Sequence, residues 1–344
     1  MKKAVLFLLF LIIMPSLIFA QTDALKLAAE YGGSFFYEPA SGTCIFSLGL
    51  NEVRMLIGGN FVLFNFSKLV SGYPPIEYKN GSFIAPAQTA QAILEFFEGF
   101  ADESRLRVGA VVIDPGHGGK DPGAYRKTID GVEINIYEKD INLKIGKNLY
   151  AKLIREYPDK KIIMTRDSDV YPELEERSRI ANEIDLPENE AVIFISIHAD
   201  GAVSSIPYGF SVHYFPAEND RDFLTSEHVD KNQHEILPLL NDMYDQEMHM
   251  ESYQLAKRII DELEKKVGDV SQTRGLKEDN FSVVRRSLMP AVLIETGFVS
   301  NLEEAKRLKN DNYLMKLADA IYNGIDLFID DFEKSNGFMG VTSE

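Results

Sequence analysis

Three apolar stretches of the sequence each end in a side chain that can bind a metal or carry a proton. VVIDPGHGG brings His117 just past a predicted strand, FISIHAD places His198 at a strand end, and VLIETG does the same for Glu295. Ligands of α/β sheets bind beyond the carboxyl ends of the strands, so we expect these side chains to share one edge. Two imidazoles and a carboxylate are enough ligands for a catalytic zinc with an open position for water.

The third ligand is expected from the start of the predicted helix EKDINLKIGKNL, where Glu138 would be held rigidly on the first turn. Each candidate also has a simpler explanation. A histidine at a strand end is often only hydrogen-bonded, and a glutamate in a first turn favours the helix dipole. Glu295 is harder to explain in this way, because burying a carboxylate without a partner is costly. Ser196 or Asp200, which flank His198, is expected to orient its ring.

The elements that must position these residues alternate along the chain from residue 108 to residue 332. Alternating strands and helices predict an α/β domain with a central, mostly parallel or mixed sheet flanked by helices. Residues 22–100 contain short β-like pieces closed by a helix, which predict a small β-rich α+β module. A polar linker is predicted at 101–107 and a flexible tail at 333–344. The predicted strands are VGAVVID, KIIMTR, AVIFISIHA, GFSVHYF and AVLIETG, and the main helices are EKDINLKIGKNLYAKLIREY, ELEERSRIANEI, a long stretch ending at Lys266, and Asn312 to about Phe332.

Residues 1–20 have two lysines, an apolar run broken by Pro15, and Ala20 at the end, which predicts a secretory signal peptide; a retained membrane anchor is the alternative. No later stretch is apolar for long enough to span a membrane, so the mature chain is expected to be exported without an integral span. The net charge of −17 argues against nucleic-acid partners. The single cysteine, Cys44, allows no internal disulfide and is expected to be a small buried residue.

A series of motifs closely resembles the zinc-dependent N-acetylmuramoyl-L-alanine amidases of the amidase-3 type, which cleave bacterial peptidoglycan. The resemblance covers about residues 108–332. It implies one zinc per catalytic domain, held by His117, Glu138 and His198, with Glu295 as the catalytic general base and acid. The nearby Glu133 is an alternative to Glu138 as the third zinc ligand. Glu138 is favoured because Lys139 and Asp140 complete the family block around it, whereas Glu133 lies in a predicted irregular loop. The matching blocks are VVIDPGHGGKDPGA, EKDINL, MTRDSD, ERSRIAN, FISIHAD and MPAVLIETGFVSN.

Two segments lie outside this minimal pattern. Residues 22–100 resemble the copper amine oxidase N-terminal-like domain of exported bacterial proteins; this implies no copper here, and the module is a candidate for binding the wall or a partner. Residues 216–252 form an insertion that is too long to be a structureless loop. The resemblance implies an autoinhibitory lid that an activator protein displaces, and the alternative is a solvated helical excursion.

Two functions therefore compete. The first is an exported zinc amidase of the periplasm or cell envelope that cuts between N-acetylmuramic acid and L-alanine of the stem peptide. The second is a wall-binding protein with an inactive catalytic fold. The intact set of His117, Glu138, His198 and Glu295 favours the enzyme. A zinc peptidase is disfavoured, because the sequence has no H-E-x-x-H helix.

Overall fold

The computed structural model describes residues 21–39, 41–49, 51–64, 68–98, 106–187, 189–216, 221, 223, 237–335 and 337. The predicted signal peptide, most of the predicted linker and residues 217–220, 222 and 224–236 of the insertion lie outside these ranges. The chain divides into two compact units, Met1–Ser104 and Arg105–Glu344. Within the described ranges, no helix has the length and apolar character needed to cross a membrane.

The first unit is β-rich, as predicted. Five antiparallel strands form one sheet in chain order, β2 to β6, and β1, β8 and β7 form a second. Apolar side chains on alternate positions of β3 and β4 pack against helix α2, and Cys44 is fully buried among them, which raises the pKa of its thiol to about 11. The elements are β1 (Thr22–Asp23), α1 (Ala24–Glu30), β2 (Ser34–Glu38), β3 (Thr43–Leu48), β4 (Asn51–Leu56), β5 (Phe61–Phe64), β6 (Lys68–Ser71), β7 (Glu77–Lys79), β8 (Ser82–Ala85) and α2 (Ala87–Glu98).

The second unit is built on a six-stranded mixed sheet flanked by helices, which confirms the predicted fold class. The strand order is β12, β9, β13, β16, β14, β15; the first four are parallel, β14 is antiparallel to β16, and β15 is parallel to β14. The elements are β9 (Arg107–Pro115), β10 (Tyr125–Ile129), β11 (Val132–Tyr137), α3 (Glu138–Glu156), β12 (Lys161–Met164), α4 (Leu174–Asn182), β13 (Glu190–Asp200), β14 (Phe210–Tyr214), α5 (Leu237–Val267), β15 (Thr273–Glu278), α6 (Ser282–Arg285), β16 (Ala291–Phe298), α7 (Leu302–Leu308) and α8 (Asp311–Ser335).

Helices cover both faces of this sheet, which explains why its central strands are continuous apolar runs. In β9, Val111 and Ile113 pack in one core with α3, α5 and α8, whereas Val112 packs in another with α4 and α6. Continuing the alternation along the strands places Asp114 and Ser196 on the α4 side. Helix α8 ends at Ser335 and so takes in the first residues of the segment predicted as a flexible tail.

One element differs from the sequence prediction close to the candidate site. The stretch before Glu138, expected to be an irregular loop, is the antiparallel hairpin β10–β11. Asp130 and Gly131 form its turn with φ values of 48° and 81°, and Ile134 and Ile136 are buried on one face of β11. An Asp-Gly turn beside alternating apolar residues is a strong hairpin signal. The hairpin places the rival ligand Glu133 on the exposed face of β11.

The reversed direction of β14 decides where the chain enters and leaves this part of the sheet. Ser211 pairs with Glu295, and His213 pairs with Leu293, earlier in β16. The chain therefore enters β14 at the edge where the parallel strands end. It leaves β14 at Tyr214, toward the opposite edge.

Candidate metal centre and catalytic site

Three of the predicted site residues come together at the carboxyl edge of the sheet. His117 follows β9, Glu138 begins α3, and His198 lies near the end of β13; one ligand atom from each falls within 4.8 Å of the others. Glu138 Oε1 is 3.1 Å from His117 Nε2 and 2.9 Å from His198 Nδ1. The two imidazole rings meet edge to face at 4.9 Å. The arrangement presents two ring nitrogens and a carboxylate toward one point.

Glycines make room for these ligands. A Cβ at Gly116 would lie 2.2 Å from His198 Cε1, so only a glycine lets the His198 ring pack on this backbone. A Cβ at Gly123 would lie 2.5 Å from Glu138 Oε2 and 2.7 Å from His117 Cδ2, and Gly123 also has a φ of 65°. The glycines of GHGGKDPGA thus allow the ligand side chains to approach the loop closely.

Glu138 is held in its charged form although it is 5% exposed. Burial opposes the charge, but the hydrogen bonds and charges of His117 and His198 outweigh it and lower the pKa of Glu138 well below its usual range. For His117, burial likewise acts against the charged form, but Glu138 and Asp121 outweigh it and raise the pKa. The amides of Ala124 and Ala199 also donate to the Glu138 carboxylate, at 2.7 and 3.1 Å.

The outward nitrogen of His117 has a carboxylate partner that the sequence reasoning missed. His117 Nδ1 lies 2.7 Å from Asp121 Oδ2, and the Gly123 amide donates to Asp121 Oδ1 at 3.0 Å. A carboxylate on the far nitrogen fixes the tautomer and orientation of a metal-binding histidine. The signal was present in the sequence, since Asp121 follows His117 within the same short loop.

Glu295 lies beside the three ligand candidates but makes no hydrogen bond with them. It pairs in register with His198 across β13 and β16 and with Ser211 across β16 and β14. Its Oε2 atom is buried and has no hydrogen-bond partner among the residues that the structure describes. Burial, followed by the charges of Glu138 and Asp200, raises the pKa of Glu295 well above the usual carboxyl value, and Lys277 acts in the opposite direction. Glu295 therefore holds a proton more readily than an exposed carboxylate does.

Neither of the two residues expected to orient His198 contacts its ring through a hydrogen bond. Ser196 Oγ donates to Asp114 Oδ2 at 2.8 Å, and Asp200 Oδ1 accepts from the Gly201 amide at 2.7 Å. The polar partner of the His198 ring is Glu138, and the Gly116 backbone packs against the ring. Ser196 is fully buried on the α4 side of the sheet, where its hydroxyl is bound to Asp114.

A further buried histidine, which the sequence reasoning also missed, lies in β14, two residues after the one that pairs with Glu295. His213 of β14 is 5% exposed, with Nε2 at 2.9 Å from Ser211 Oγ and Nδ1 at 2.6 Å from Asp279 Oδ2. Burial lowers the pKa of His213, against the effect of Asp279. In the sequence, His213 falls in the middle of an apolar strand and has no neighbouring motif to mark it.

The donor set fits a zinc ion. Zinc sites that catalyse reactions have three protein ligands from histidine and carboxylate side chains, with the remaining histidine nitrogens hydrogen-bonded. His117, Glu138 and His198 supply this set, and they form the one group of this kind found in the described part of the chain.

Comparison with known proteins gives consistent matches to one family. The family model described as N-acetylmuramoyl-L-alanine amidase matches residues 111–326, a range that contains all four candidate site residues. The probable N-acetylmuramoyl-L-alanine amidase AmiB of Haemophilus influenzae is 33% identical over 250 residues, covering 68% of this chain and 55% of that protein. The uncharacterized protein YqiI of Bacillus subtilis is 31% identical over 222 residues, covering 64% of this chain and 84% of that protein.

Other relatives match over the same part of the chain. AmiC of Escherichia coli is 28% identical, with coverage of 66% of this chain and 54% of that protein. The chain thus spans about half the length of the AmiB and AmiC relatives. Among solved structures, an N-acetylmuramoyl-L-alanine amidase from Clostridium difficile 630 is 29% identical with a TM-score of 0.49, covering 65% of this chain and 98% of that one.

Proposed function

The chain belongs to the N-acetylmuramoyl-L-alanine amidase family, and on that premise we propose that it hydrolyses the amide bond between N-acetylmuramic acid and L-alanine of the peptidoglycan stem peptide. The observation that carries this proposal is the convergence of His117, Glu138 and His198 within 4.8 Å at the sheet edge, beside Glu295. The family match supplies the substrate class, and the donor set supports the type of chemistry.

We assign one zinc ion to His117 Nε2, Glu138 and His198 Nδ1. These are the atoms that approach each other, and Asp121 occupies the other nitrogen of His117. When bound, zinc supplies a Lewis acid for an amide carbonyl and for water. Two imidazoles that bind a metal are neutral. The charged Glu138 therefore contributes the negative charge that attracts a cation to the site.

Glu295 is proposed to move the proton. As general base it would accept a proton from the attacking water at a carboxylate oxygen, and as general acid it would deliver that proton to the nitrogen of the departing L-alanine. Amide nitrogen leaves poorly unless it is protonated, so this transfer is essential to the reaction. The burial and neighbouring carboxylates that raise the Glu295 pKa support its ability to hold the proton between the two steps.

The domain organisation is proposed as a signal peptide (1–20), an N-terminal module (22–100) that binds the wall or a partner protein, a linker (101–107) and a catalytic domain (108–332). A mature protein exported to the periplasm or cell envelope would meet its peptidoglycan substrate there. The similarity of the N-terminal module to copper amine oxidase N-terminal-like domains stays a prediction.

We also propose that the insertion, residues 216–252, restrains the enzyme until an activator protein displaces it. Arg221 is anchored in the interior: it is 6% exposed, its Nε donates to Asp245 Oδ1 at 2.5 Å, and its guanidinium stacks over Phe215 and Phe223. A deletion of residues 224–236 leaves this anchor intact. If the segment is inhibitory, the deletion variant should produce free L-alanine amino termini from purified sacculi faster than the full chain does. An equal rate in a folded variant contradicts autoinhibition.

The decisive experiment for the catalytic proposal pairs metal analysis with product analysis. The purified protein should contain one zinc, and digested sacculi should gain free L-alanine amino termini. Glu138→Gln should lose zinc, whereas Glu133→Gln, its exposed neighbour, should retain it and serves as the matched control. Glu295→Gln should keep zinc while its turnover falls by roughly 100-fold or more. Zinc without new amino termini, in both the full chain and the variant that lacks residues 224–236, would indicate a wall-binding protein with an inactive fold.

A further inference from the structure

The loop that presents His117 has a backbone that is unfavourable by itself. His117 has a φ of 61°, in the left-handed region that residues with a Cβ seldom adopt. Such a conformation is strained and persists only when surrounding groups fix it. Other residues must therefore hold residues 115–117 in place.

Two buried arginines bind the carbonyls of all three residues. Arg166 donates from Nε to Pro115 O at 2.8 Å and from Nη2 to Gly116 O at 2.9 Å. Arg177 donates from Nη1 to Pro115 O at 3.0 Å and from Nη2 to His117 O at 2.8 Å. Their exposures are 3% and 1%. A guanidinium presents its donors in a rigid plane. Arg166 therefore fixes the directions of the carbonyls of residues 115 and 116, and Arg177 fixes those of residues 115 and 117.

Arg166 also connects this loop to the second ligand. Its Nη2 donates to the carbonyl of Lys139, the residue after Glu138, at 2.8 Å. Asn142 Nδ2, one turn further along α3, lies 3.3 Å from both Gly116 O and Glu138 Oε1. The same small group of donors therefore sets the separation between the segment that carries His117 and the helix turn that carries Glu138.

Charge pairing does not account for both arginines. Arg177 is paired with Asp114 at 2.8 Å, and Thr165 and Ser196 also donate to that carboxylate. Arg166 donates to backbone carbonyls, with Ser168 O as its fourth acceptor at 3.1 Å. Burial and the nearby Arg177 lower the pKa of Arg166. A buried guanidinium bonded to carbonyls is a costly way to gain stability, but it is an effective way to fix a backbone.

We propose that Arg166 and Arg177 are positioning residues for the metal centre: together they hold the backbone at residues 115–117 and the start of α3 so that His117 and Glu138 face the same point. This inference rests on the zinc site of the proposed function. Replacing either arginine should therefore lower the zinc affinity by more than the accompanying change in the stability of the metal-free protein explains.

The test compares Arg166→Lys and Arg177→Lys with Arg179→Lys. Arg179 is a matched control because it lies in α4, the helix that also carries Arg177. Its side chain is 53% exposed, and its partners among the described residues are Glu176 and Glu183. Zinc affinity is measured by competition with a chromogenic chelator, cobalt(II) absorption reports ligand geometry, and thermal unfolding of the metal-free proteins reports stability. Loss of groups that orient metal ligands typically weakens affinity about 10- to 100-fold, which is the result expected for the two buried variants and not for the control.

Wild-type zinc affinity and cobalt spectrum in folded Arg166→Lys and Arg177→Lys proteins would overturn the inference. If Arg177→Lys does not fold, the double substitution Asp114→Asn with Arg177→Met removes the buried pair without leaving a lone charge. Its zinc affinity then decides between positioning and stability alone. If the wild-type protein binds no zinc in the same assay, the proposed metal site itself fails, which is a distinct outcome.

Discussion

Replacing Gly116 by alanine tests the geometry of the metal centre with a single added carbon. The new Cβ would lie 2.2, 2.3 and 2.7 Å from Cε1, Nε2 and Nδ1 of His198. Carbon atoms in contact are about 3.5 Å apart, so the ring has to retreat by roughly 1.3 Å. The Gly116 amide donates to Ile197 O and its carbonyl accepts from Arg166, so the side chain is freer to move than the backbone.

A displacement of this size should remove His198 from the ligand set. Metal–ligand distances are constrained to within about 0.2 Å, several times less than the expected shift. We therefore expect the zinc affinity of Gly116→Ala to fall by at least about 100-fold, beyond the usual effect of an outer hydrogen-bonding partner. Overpacking should also lower the free energy of unfolding of the metal-free protein by about 1–3 kcal/mol. Isothermal titration with zinc and urea unfolding measure the two quantities separately.

Gly109→Ala is the matched control. Gly109 lies near the start of β9, the strand that ends just before Gly116, and its added Cβ would meet Glu190 Cβ at 2.8 Å and Oε2 at 2.3 Å rather than a ligand side chain. We expect a similar loss of stability with unchanged zinc affinity. A Gly116→Ala protein that binds zinc as tightly as the wild type would refute the proposed placement of His198.

Three further predictions follow from individual contacts. Asp121→Asn should weaken zinc binding about 10- to 100-fold without unfolding the protein, as measured by chelator competition, because it removes the carboxylate on His117 Nδ1. The pKa of buried His213 is lowered in the folded state, so the unfolded chain takes up its proton first as the pH falls below about 6.5. The stability lost toward pH 5, at most about 1.4 kcal/mol per pH unit from this group, should shrink in His213→Gln when urea unfolding is compared across pH. Arg221→Ala should lower the free energy of unfolding by about 3–5 kcal/mol in the same assay, because it removes one member of a buried ion pair with Asp245, which is 0% exposed; an effect below 1 kcal/mol would show that the pair is not the anchor described.

The fold and the site candidates were predictable where a local pattern reflects the tertiary environment. Continuous apolar strands followed by His117, His198 or Glu295 indicated a sheet buried on both faces with its chemistry at one edge. The hairpin β10–β11 is also marked in the sequence, by Asp130-Gly131 and the alternating apolar residues after it, although an irregular loop was the prediction for this stretch. Its buried residues Ile134 and Ile136 belong to the main core.

Features that arise only when segments distant in the sequence come together could not be predicted from sequence patterns. For Arg166 and Arg177 the sequence indicates at most a structural ion pair or helix packing, and the carbonyls that they bind are identified only when the end of β9 lies against them. The reversal of β14 likewise depends on which edge of the sheet is free. His213 carries no signal because its carboxylate partner, Asp279, follows β15 and is brought close only by the pairing of β14 with β15.

The reversal of β14 has a consequence for how the insertion could communicate with the metal centre. The chain leaves Tyr214 toward the edge opposite Glu295, and Arg221 reaches Ser287 O, just ahead of β16, at that same edge. Ala291 and Glu295 are four residues apart along β16, or about 13 Å. A partner that binds the anchored end of the insertion would therefore contact the end of the sheet opposite the metal centre and act on that centre from a distance.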